Sequence, residues 1–159
     1  MIRPRAGLRI GDWTLDNLLG EGGFGSTWRA FNDHGECAAI KLLSTPPGDE
    51  LRALSRLRHP CIPTVLSAGT HPIPHIAMEL VEGHPLSTWV KAGAAPPQRA
   101  AELLLLLADA LATVHRNDLI HGDVTPDNVM LQSIATGHVA LIDFGLCTSE
   151  VGGTLRYIA

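Results

Sequence analysis

The hydrophobic pattern of this chain changes from a β-type pattern to a helical pattern near its middle. Within residues 13–43, three short β-type runs are separated by glycine-rich or polar turns, which predicts strands; they read WTLDNLLG, GSTWRAF and ECAAIKLL. Residues 98–116 instead carry apolar side chains at helical spacing opposite a polar face, which predicts one long amphipathic helix. A β-rich half followed by a helical half predicts an α+β fold with two lobes and a cleft between them.

Shorter elements are predicted around these two regions. The turn from Asn32 to Glu36 favours a hairpin, because Asn, Asp and Gly tolerate left-handed backbone angles. The stretch STPPGDELRALSRLR predicts a short helix, and GHPLSTWVKAG predicts a short helix with a loop. Further strands are predicted at CIPTVLSAGT, IPHIAMELV, NVMLQ and HVALIDF. In the long helix, the side chains expected to form the apolar face are Leu103, Leu104, Leu107, Leu111 and Val114.

Composition argues against several classes of function. The 159 residues carry a net charge of −4 and no basic tract, so no nucleic-acid partner is expected. The longest apolar stretch, ELLLLLADALATV, is interrupted by Glu102 and Asp109 and is shorter than the roughly 20 apolar residues of a bilayer span, so no membrane segment is expected. Eight histidines lack metal-ligand spacing. Three cysteines without a C-x-x-C pattern favour reduced thiols and a cytoplasmic location.

A glycine-rich stretch, GEGGFGSTW, lies between the first two β-type runs. Gly20, Gly22 and Gly25 form a G-x-G-x-x-G pattern, and such glycines let backbone N–H groups approach phosphate oxygens without a clash from Cβ. A dinucleotide-binding loop would need a helix after it, whereas STWRAF is β-type. The pattern therefore predicts a turn between two strands that covers phosphates, with a plain hairpin as the alternative.

Lys41 follows the apolar segment Ala38 to Ile40 in a predicted strand. A lysine flanked by Ala, Ile and Leu is expected on a cleft wall, where its charge needs a partner. Glu50 and a phosphate group are the candidates. The alternative is a surface lysine whose ammonium extends into solvent.

The loop HGDVTPDNVM and the later LIDFG contain three polar residues suited to phosphoryl chemistry. Asp123 could orient an attacking hydroxyl or accept its proton. Asn128 could offer a side-chain oxygen to a divalent cation, and Asp143, at the end of an apolar run, could be a Mg²⁺ ligand. Turn or capping roles are the alternative for each residue.

In order and spacing, these motifs resemble those of a eukaryotic-type protein kinase catalytic domain, of the kind found in bacterial Ser/Thr kinases. The resemblance implies a bilobal protein-kinase-like fold, with an antiparallel β-sheet N-lobe and the first part of a mainly helical C-lobe. It further implies an N-terminal leader at residues 1–12, an N-lobe and hinge at 13–82, and a partial C-lobe at 83–159. The family continues with Pro-Glu and several helices where this chain reads RYIA, so a C-terminally incomplete domain is expected.

The resemblance also implies ATP and Mg²⁺ as cofactors and assigns roles to residues. The catalytic residues would be Asp123 as base and the pair Lys41 and Glu50. The metal ligands would be Asn128 and Asp143. The ATP-binding residues would be Gly20, Glu21, Gly22, Gly23, Phe24, Gly25, Thr27, Ala39, Lys41, Met78, Glu79, Val81 and Met130. A column of side chains that marks an active arrangement would comprise Leu54, Val65, His121 and Phe144.

The implied activity is transfer of the γ-phosphoryl group of Mg·ATP to Ser or Thr hydroxyls of a protein substrate. Two alternatives stay open: a nucleotide-binding pseudokinase that regulates without transferring, and a small-molecule kinase resembling aminoglycoside phosphotransferases. The sequence identifies neither the substrate nor the oligomeric state.

Two departures from the family pattern bear on rate and regulation. Gly122 replaces the Arg that usually pairs with a phosphorylated activation loop, so we expect activity without phosphorylation of Thr148, Ser149 or Thr154. Thr125 replaces the Lys that usually contacts the γ-phosphate, a loss that we expect to cost on the order of 10²-fold in rate.

Overall fold

The computed structural model describes residues 2–22, 25–46, 48, 50–93, 96–133 and 138–144. These residues form two compact units. The first unit comprises Met1–Ser55 and Pro63–Val81, and the second comprises Arg56–Ile62 and Glu82–Ala159. None of the helices in the described part of the chain is long and apolar enough to cross a membrane.

The first unit is built on a six-stranded antiparallel sheet with the order β1-β2-β3-β4-β6-β5. One short helix, α1, follows β4 in the chain. The elements are β1 Arg9–Ile10, β2 Trp13–Gly22, β3 Gly25–Asn32, β4 Cys37–Leu43, α1 Glu50–Leu54, β5 Val65–Gly69 and β6 His75–Glu79. The predicted antiparallel sheet is therefore confirmed.

The β3–β4 hairpin turns at the residues that the sequence indicated. The side chain of Asn32 accepts hydrogen bonds from the N–H groups of His34 and Glu36, at 3.0 and 2.9 Å. Gly35 adopts φ +80°, in the left-handed region that glycine enters without a Cβ clash. The Asn side chain and the glycine together close the turn.

One face of the sheet forms the core of the first unit. Side chains alternate between the two faces of a strand, so every second residue of β2, β3 and β4 turns inward. The buried cluster comprises Ile10, Trp13, Leu15, Ala30, Ala38, Ile40, Leu42 and Ala77. The intervening residues of β3 and β4 consequently belong to the opposite face.

The second unit contains two helices and a three-stranded antiparallel sheet with the order β7-β8-β9. Its elements are β7 His84–Pro85, α2 Leu86–Ala92, α3 Pro97–Arg116, β8 Val129–Ser133 and β9 His138–Leu141. Gly83, at φ +140°, precedes β7 where an added Cβ would lie 2.4 Å from the carbonyl oxygen of Leu131. Only glycine allows that close approach of the two backbones.

The long helix was predicted correctly, but one of the residues predicted to be buried on it is exposed. α3 buries Leu103, Leu107, Ala110 and Val114. Leu104, predicted to face the core, is 65% exposed. The apolar stripe along α3 is wider than the part of the helix that is buried. Helical periodicity alone therefore did not show which edge of the stripe is buried.

Two features differ from the predicted domain boundaries. Arg9 and Ile10 pair with Thr14 and Trp13 in the sheet, and Ile10 is fully buried, so part of the segment 1–12 belongs to the first unit. Residues 56–62 group with the second unit. The first difference is a short hairpin that the predicted boundary at residue 13 divided. The second depends on distant contacts, of His59 with Asp109 and of Cys61 with Leu141, which local sequence patterns do not report.

Candidate active site

Four of the predicted ATP-binding residues lie on one face of the first unit's sheet. Strand pairing places Thr27 opposite Lys41 and Ala39 opposite Met78. Ala39 and Lys41 are two residues apart in β4, so their side chains share a face, and directly paired residues share that face too. This is the face opposite the apolar cluster. The sheet thus presents a small, largely apolar surface beside one ammonium group.

Lys41 is 7% exposed. A buried ammonium is stable only where anionic or hydrogen-bonding groups surround it, and a nucleotide phosphate would be one such group. α1 begins at Glu50, the predicted partner of Lys41. The side chain of Glu50 lies outside the described residues, and the ion pair stays a prediction.

The glycine-rich stretch forms the hairpin between β2 and β3, as predicted. Gly20 pairs with Thr27, and Gly22 pairs with Gly25. At Gly25, φ is +132° and an added Cβ would lie 1.9 Å from the carbonyl oxygen of Leu42, so this glycine is required by packing. An added Cβ at Gly20 or Gly22 would meet no atom within 4 Å, which leaves their backbones open to a ligand. Glu21 is exposed, and Gly23 and Phe24 lie outside the described residues.

The predicted hinge residues lie at the end of β6. Met78 is half-buried and ends the apolar part of that strand. Glu79 holds the segment before β5, because its N–H donates to the carbonyl of Thr64 at 2.9 Å and its Oε2 accepts the Thr64 N–H at 2.9 Å. Val81 is half-buried at the end of the first unit. Met130, the remaining predicted adenine contact, is half-buried in β8 of the second unit.

In the second unit, His121 ties the loop after α3 to the end of β9. Its side chain is 1% exposed. The Asp123 N–H donates to His121 Nδ1 at 3.3 Å, so Nε2 carries the proton and donates to the carbonyl of Ile142 at 3.0 Å. The ring also packs edge-on against Phe144, with centroids 4.5 Å apart. His121 is therefore a structural residue that fixes the loop carrying Asp123.

Asn128 orients Asp123. Its Nδ2 donates to the main-chain oxygen of Asp123 at 2.9 Å and to Oδ2 at 2.8 Å. Because both partners are acceptors, the amide nitrogen must face them and the amide oxygen faces away. Among the described residues, the Asp123 carboxylate is held through Oδ2, and Oδ1 is the oxygen that a substrate hydroxyl would reach.

The same residue connects the loop to Asp143. The Ile142 N–H donates to the main-chain carbonyl of Asn128 at 2.8 Å, so Asp143 follows directly after a fixed residue. Asp143 itself adopts φ +65°, a conformation uncommon for residues other than glycine and one that often marks functional sites.

A divalent cation fits this arrangement. The amide oxygen of Asn128 and the carboxylate of Asp143 are the kind of hard oxygen ligand that Mg²⁺ prefers. Within the described ranges, no three His, Cys, Asp or Glu side chains could hold a metal ion together.

Sequence reasoning missed Ser87, which anchors the loop to the start of α2. Its N–H donates to the carbonyl of Pro126 at 3.1 Å, and its hydroxyl donates to the carboxylate of Asp127. The two bonds fix the residues immediately before Asn128. The partners are 40 residues apart, and no spacing rule links a serine to an aspartate at that distance.

Comparison with known proteins identifies the family. The chain matches the family described as Protein kinase domain over residues 13–157. It belongs to the protein kinase domain family. This kinase domain is 30% identical over 187 aligned residues to the serine/threonine-protein kinase PknA of Mycobacterium tuberculosis, an alignment that covers 99% of this chain and 43% of PknA. The chain thus spans less than half the length of that relative.

Two solved structures show the same fold. The crystal structure of Rad53 in complex with AMP-PNP superposes with a TM-score of 0.78 at 28% identity, covering 93% of this kinase domain and 41% of the Rad53 chain. The PknI kinase domain of M. tuberculosis superposes with a TM-score of 0.74 at 26% identity, covering 92% and 64%. The predicted family and fold are confirmed, and the roles of individual residues stay predictions.

Proposed function

We propose that this kinase domain transfers the γ-phosphoryl group of Mg·ATP to serine or threonine hydroxyls of protein substrates. The observation that carries the proposal is the double hydrogen bond from the Asn128 side chain to Asp123. It orients one carboxylate toward a hydroxyl while leaving one amide oxygen for a cation. The adjacent bond from Ile142 to Asn128 brings Asp143 into the same group.

In this proposal the first unit binds the nucleotide. The small side chains of Thr27 and Ala39, with Met78, provide a flat apolar surface for adenine on one sheet face. Lys41 lies on the same face, where its ammonium would bind phosphate oxygens. The open backbone at Gly20 and Gly22 lets N–H groups approach the phosphates.

The second unit performs the transfer. The substrate hydroxyl oxygen attacks the γ-phosphorus in line, the bond from that phosphorus to the β–γ bridging oxygen breaks, and ADP leaves. Asp123 orients the hydroxyl and accepts its proton. Asn128 and Asp143 hold Mg²⁺, which when bound neutralises charge on the phosphates.

Two residues suggest how the domain is regulated and how fast it works. Gly122 adopts φ +81° and carries no cation, so a phosphorylated loop has no arginine receptor at this position. The expectation that Thr148 and Ser149 can be replaced without loss of activity falls on residues outside those described. At Thr125 the main-chain oxygen still accepts the Asn128 N–H at 3.0 Å, but the side chain supplies no charge, which supports a slow enzyme.

Transfer of ³²P from γ-labelled ATP tests the proposal and separates it from its alternatives. The chain is incubated with a generic Ser/Thr-rich protein and, separately, with a panel of aminoglycosides and sugars. We expect labelled phosphoserine or phosphothreonine in the protein, lost in Asp123→Asn. Labelled aminoglycosides alone would assign the domain to small-molecule kinases. Nucleotide binding without transfer to any acceptor would assign it to pseudokinases.

The partners follow from this proposal. They are proteins with an accessible Ser or Thr, and the sequence supports no nucleic-acid partner. The cytoplasmic location stays a prediction from the unpaired cysteine pattern.

A further inference from the structure

The turn at residues 59–62 is attached to α3 by one histidine. His59 Nε2 and Asp109 Oδ2 lie 3.0 Å apart. The His59 side chain is only 11% exposed, whereas that of Asp109, on α3, is 69% exposed. A mostly buried imidazole therefore reaches a carboxylate at the surface of the second unit.

The hydrogen bonds of His59 define which nitrogen carries the proton. The Cys61 N–H donates to Nδ1 at 3.1 Å, so Nδ1 is an acceptor and the neutral ring donates from Nε2 to Asp109. The hydrogen bond from His59 lowers the pKa of Asp109, because it favours the ionised carboxylate that accepts it. The Ile62 N–H donates to the main-chain oxygen of His59 at 3.0 Å and closes the turn.

The segment at residues 59–62 also holds β9 in place. The carbonyl of Cys61 accepts the Leu141 N–H at 2.8 Å. β9 is an edge strand of its sheet, so only one of its sides is paired with β8. An edge N–H that is buried needs a partner from outside the sheet, and Leu141 is fully buried. The turn supplies that partner.

Two hydrogen bonds from opposite sides thereby fix the main chain just before Asp143. The Leu141 N–H binds the turn at Cys61, and the next N–H, that of Ile142, binds Asn128. Successive N–H groups of a strand point in opposite directions, so these bonds restrain both sideways movement and rotation of the strand end. Asp143 then enters its left-handed conformation from a fixed position.

We propose that His59 and Asp109 are positioning residues for the Mg²⁺ ligand Asp143, acting through Cys61 and Leu141. This inference rests on the proposed function, because it assumes that Asp143 holds the cation. This series of hydrogen bonds connects α3 to the strand end before Asp143, and its first contact joins two side chains 50 residues apart in sequence. Residues that orient a metal ligand indirectly typically change metal affinity by about 10- to 100-fold when altered.

The test compares two disruptive variants with one conservative variant. His59→Phe removes both ring hydrogen bonds, and Asp109→Ala removes the acceptor from the surface without opening the core. His59→Gln keeps a donor near the position of Nε2. ATP affinity is measured with Mg²⁺ and with EDTA, and exchange of the Leu141 amide hydrogen is measured by NMR in the nucleotide-free chain.

We expect His59→Phe and Asp109→Ala to weaken ATP binding by about tenfold in Mg²⁺ and by less than about twofold in EDTA. We also expect faster exchange at Leu141, because its hydrogen bond opens more often. His59→Gln should restore most of the Mg²⁺-dependent affinity. An equal loss in Mg²⁺ and EDTA, or full retention of affinity in Mg²⁺, would overturn the inference.

The exchange measurement separates this inference from the proposed function. If the unaltered chain binds ATP equally with and without Mg²⁺, the proposed metal role of Asp143 fails, and with it the assignment of His59 as a positioning residue for a metal ligand. If the unaltered chain depends on Mg²⁺ but Leu141 exchange is unchanged in both disruptive variants, the proposed function stands and the inference alone is wrong.

Discussion

The two units position their candidate functional residues by different means. In the first unit, the main-chain ladder between β3, β4 and β6 sets where Thr27, Lys41 and Met78 lie. In the second unit, side chains hold one another, since Asn128 binds Asp123 and His121 supports the same loop. A functional side chain on the sheet can therefore be substituted while the main-chain ladder keeps its geometry. In the loop, the same kind of substitution removes a hydrogen bond that holds the neighbouring residue.

This difference separates what is required for the fold from what is required for the chemistry. On the sheet, the critical positions for folding are main-chain positions such as Gly25, where an added Cβ would meet the Leu42 carbonyl. In the loop, Asn128, which would bind the cation, also fixes the carboxylate of Asp123. The predictions below test this division, beginning with the largest effect.

Gly25→Ala should disrupt the sheet of the first unit more than any change at its functional face. The new Cβ would lie 1.9 Å from the Leu42 carbonyl oxygen at φ +132°, so the hairpin must move. We expect a loss of about 3 kcal/mol or more in the free energy of unfolding, measured by urea titration. Gly20→Ala, at an open position, is the control and should cost about 1 kcal/mol or less. Equal losses in both variants would show that the close contact does not constrain β3.

Asn128→Ala and Lys41→Met contrast the two units directly. Both should abolish transfer of phosphate from ATP. Asn128→Ala should also destabilise the chain by about 1–3 kcal/mol, because the main-chain oxygen of Asp123 loses its hydrogen-bond donor. Lys41→Met keeps the main-chain ladder of β4 and replaces the ammonium with an apolar chain of similar length, so we expect a smaller loss of stability than in Asn128→Ala. The free energy of unfolding of both variants is measured by urea titration. A greater loss of stability in Lys41→Met than in Asn128→Ala would contradict the proposed difference between the two units.

Asp118→Gly should stabilise the second unit. α3 ends with the N–H of Asp118 donating to His115 O at 3.0 Å and that of Leu119 donating to Val114 O at 3.3 Å. This pattern places Asp118 in the left-handed position usually occupied by glycine, at φ +56°. Relief of that strain should raise the free energy of unfolding by up to about 1 kcal/mol. Asn117→Gly, one residue earlier at φ −102°, should destabilise instead.

The acid stability of the second unit should depend on Asp109. Its pKa is lowered by the hydrogen bond from His59, so the folded chain releases this proton more readily than the unfolded chain. The resulting stabilisation is present above pH 3.8 and disappears as the pH falls through the lower folded value. Unfolding curves at several pH values should therefore show Asp109→Asn less stable than the unaltered chain at pH 6, with the difference vanishing near pH 2. A difference that persists at pH 2 would exclude the ionised carboxylate as its cause.

The sequence predicted locally determined features well. The strands flanking the glycine-rich hairpin, the turn at Asn32 and the helix at 97–116 were predicted because alternation, turn residues and helical periodicity act over a few neighbours. For Lys41 and Asp143, the residues alone left a surface lysine and a turn residue open as alternatives, because burial and left-handed backbone angles are not readable from a single sequence.

Features that depend on distant pairing were not predicted. The contact between His59 and Asp109 spans 50 residues, and that between Ser87 and Asp127 spans 40. The exposure of Leu104 depends on which side of α3 is covered, which the helical period does not determine. Each of these requires knowledge of which elements pack together.

Calorimetric titration of ATP into this chain, with and without Mg²⁺ and beside Asp143→Asn, would show whether the chain binds ATP and whether Asp143 holds Mg²⁺ in that complex. Circular dichroism first confirms that both proteins are folded. We expect ATP to bind more tightly in the presence of Mg²⁺. In Asp143→Asn the ATP affinity should no longer depend on Mg²⁺, because a carboxylate ligand becomes a neutral amide. A folded chain that binds no ATP, or an Asp143→Asn variant with the same Mg²⁺ dependence as the unaltered chain, would contradict these expectations.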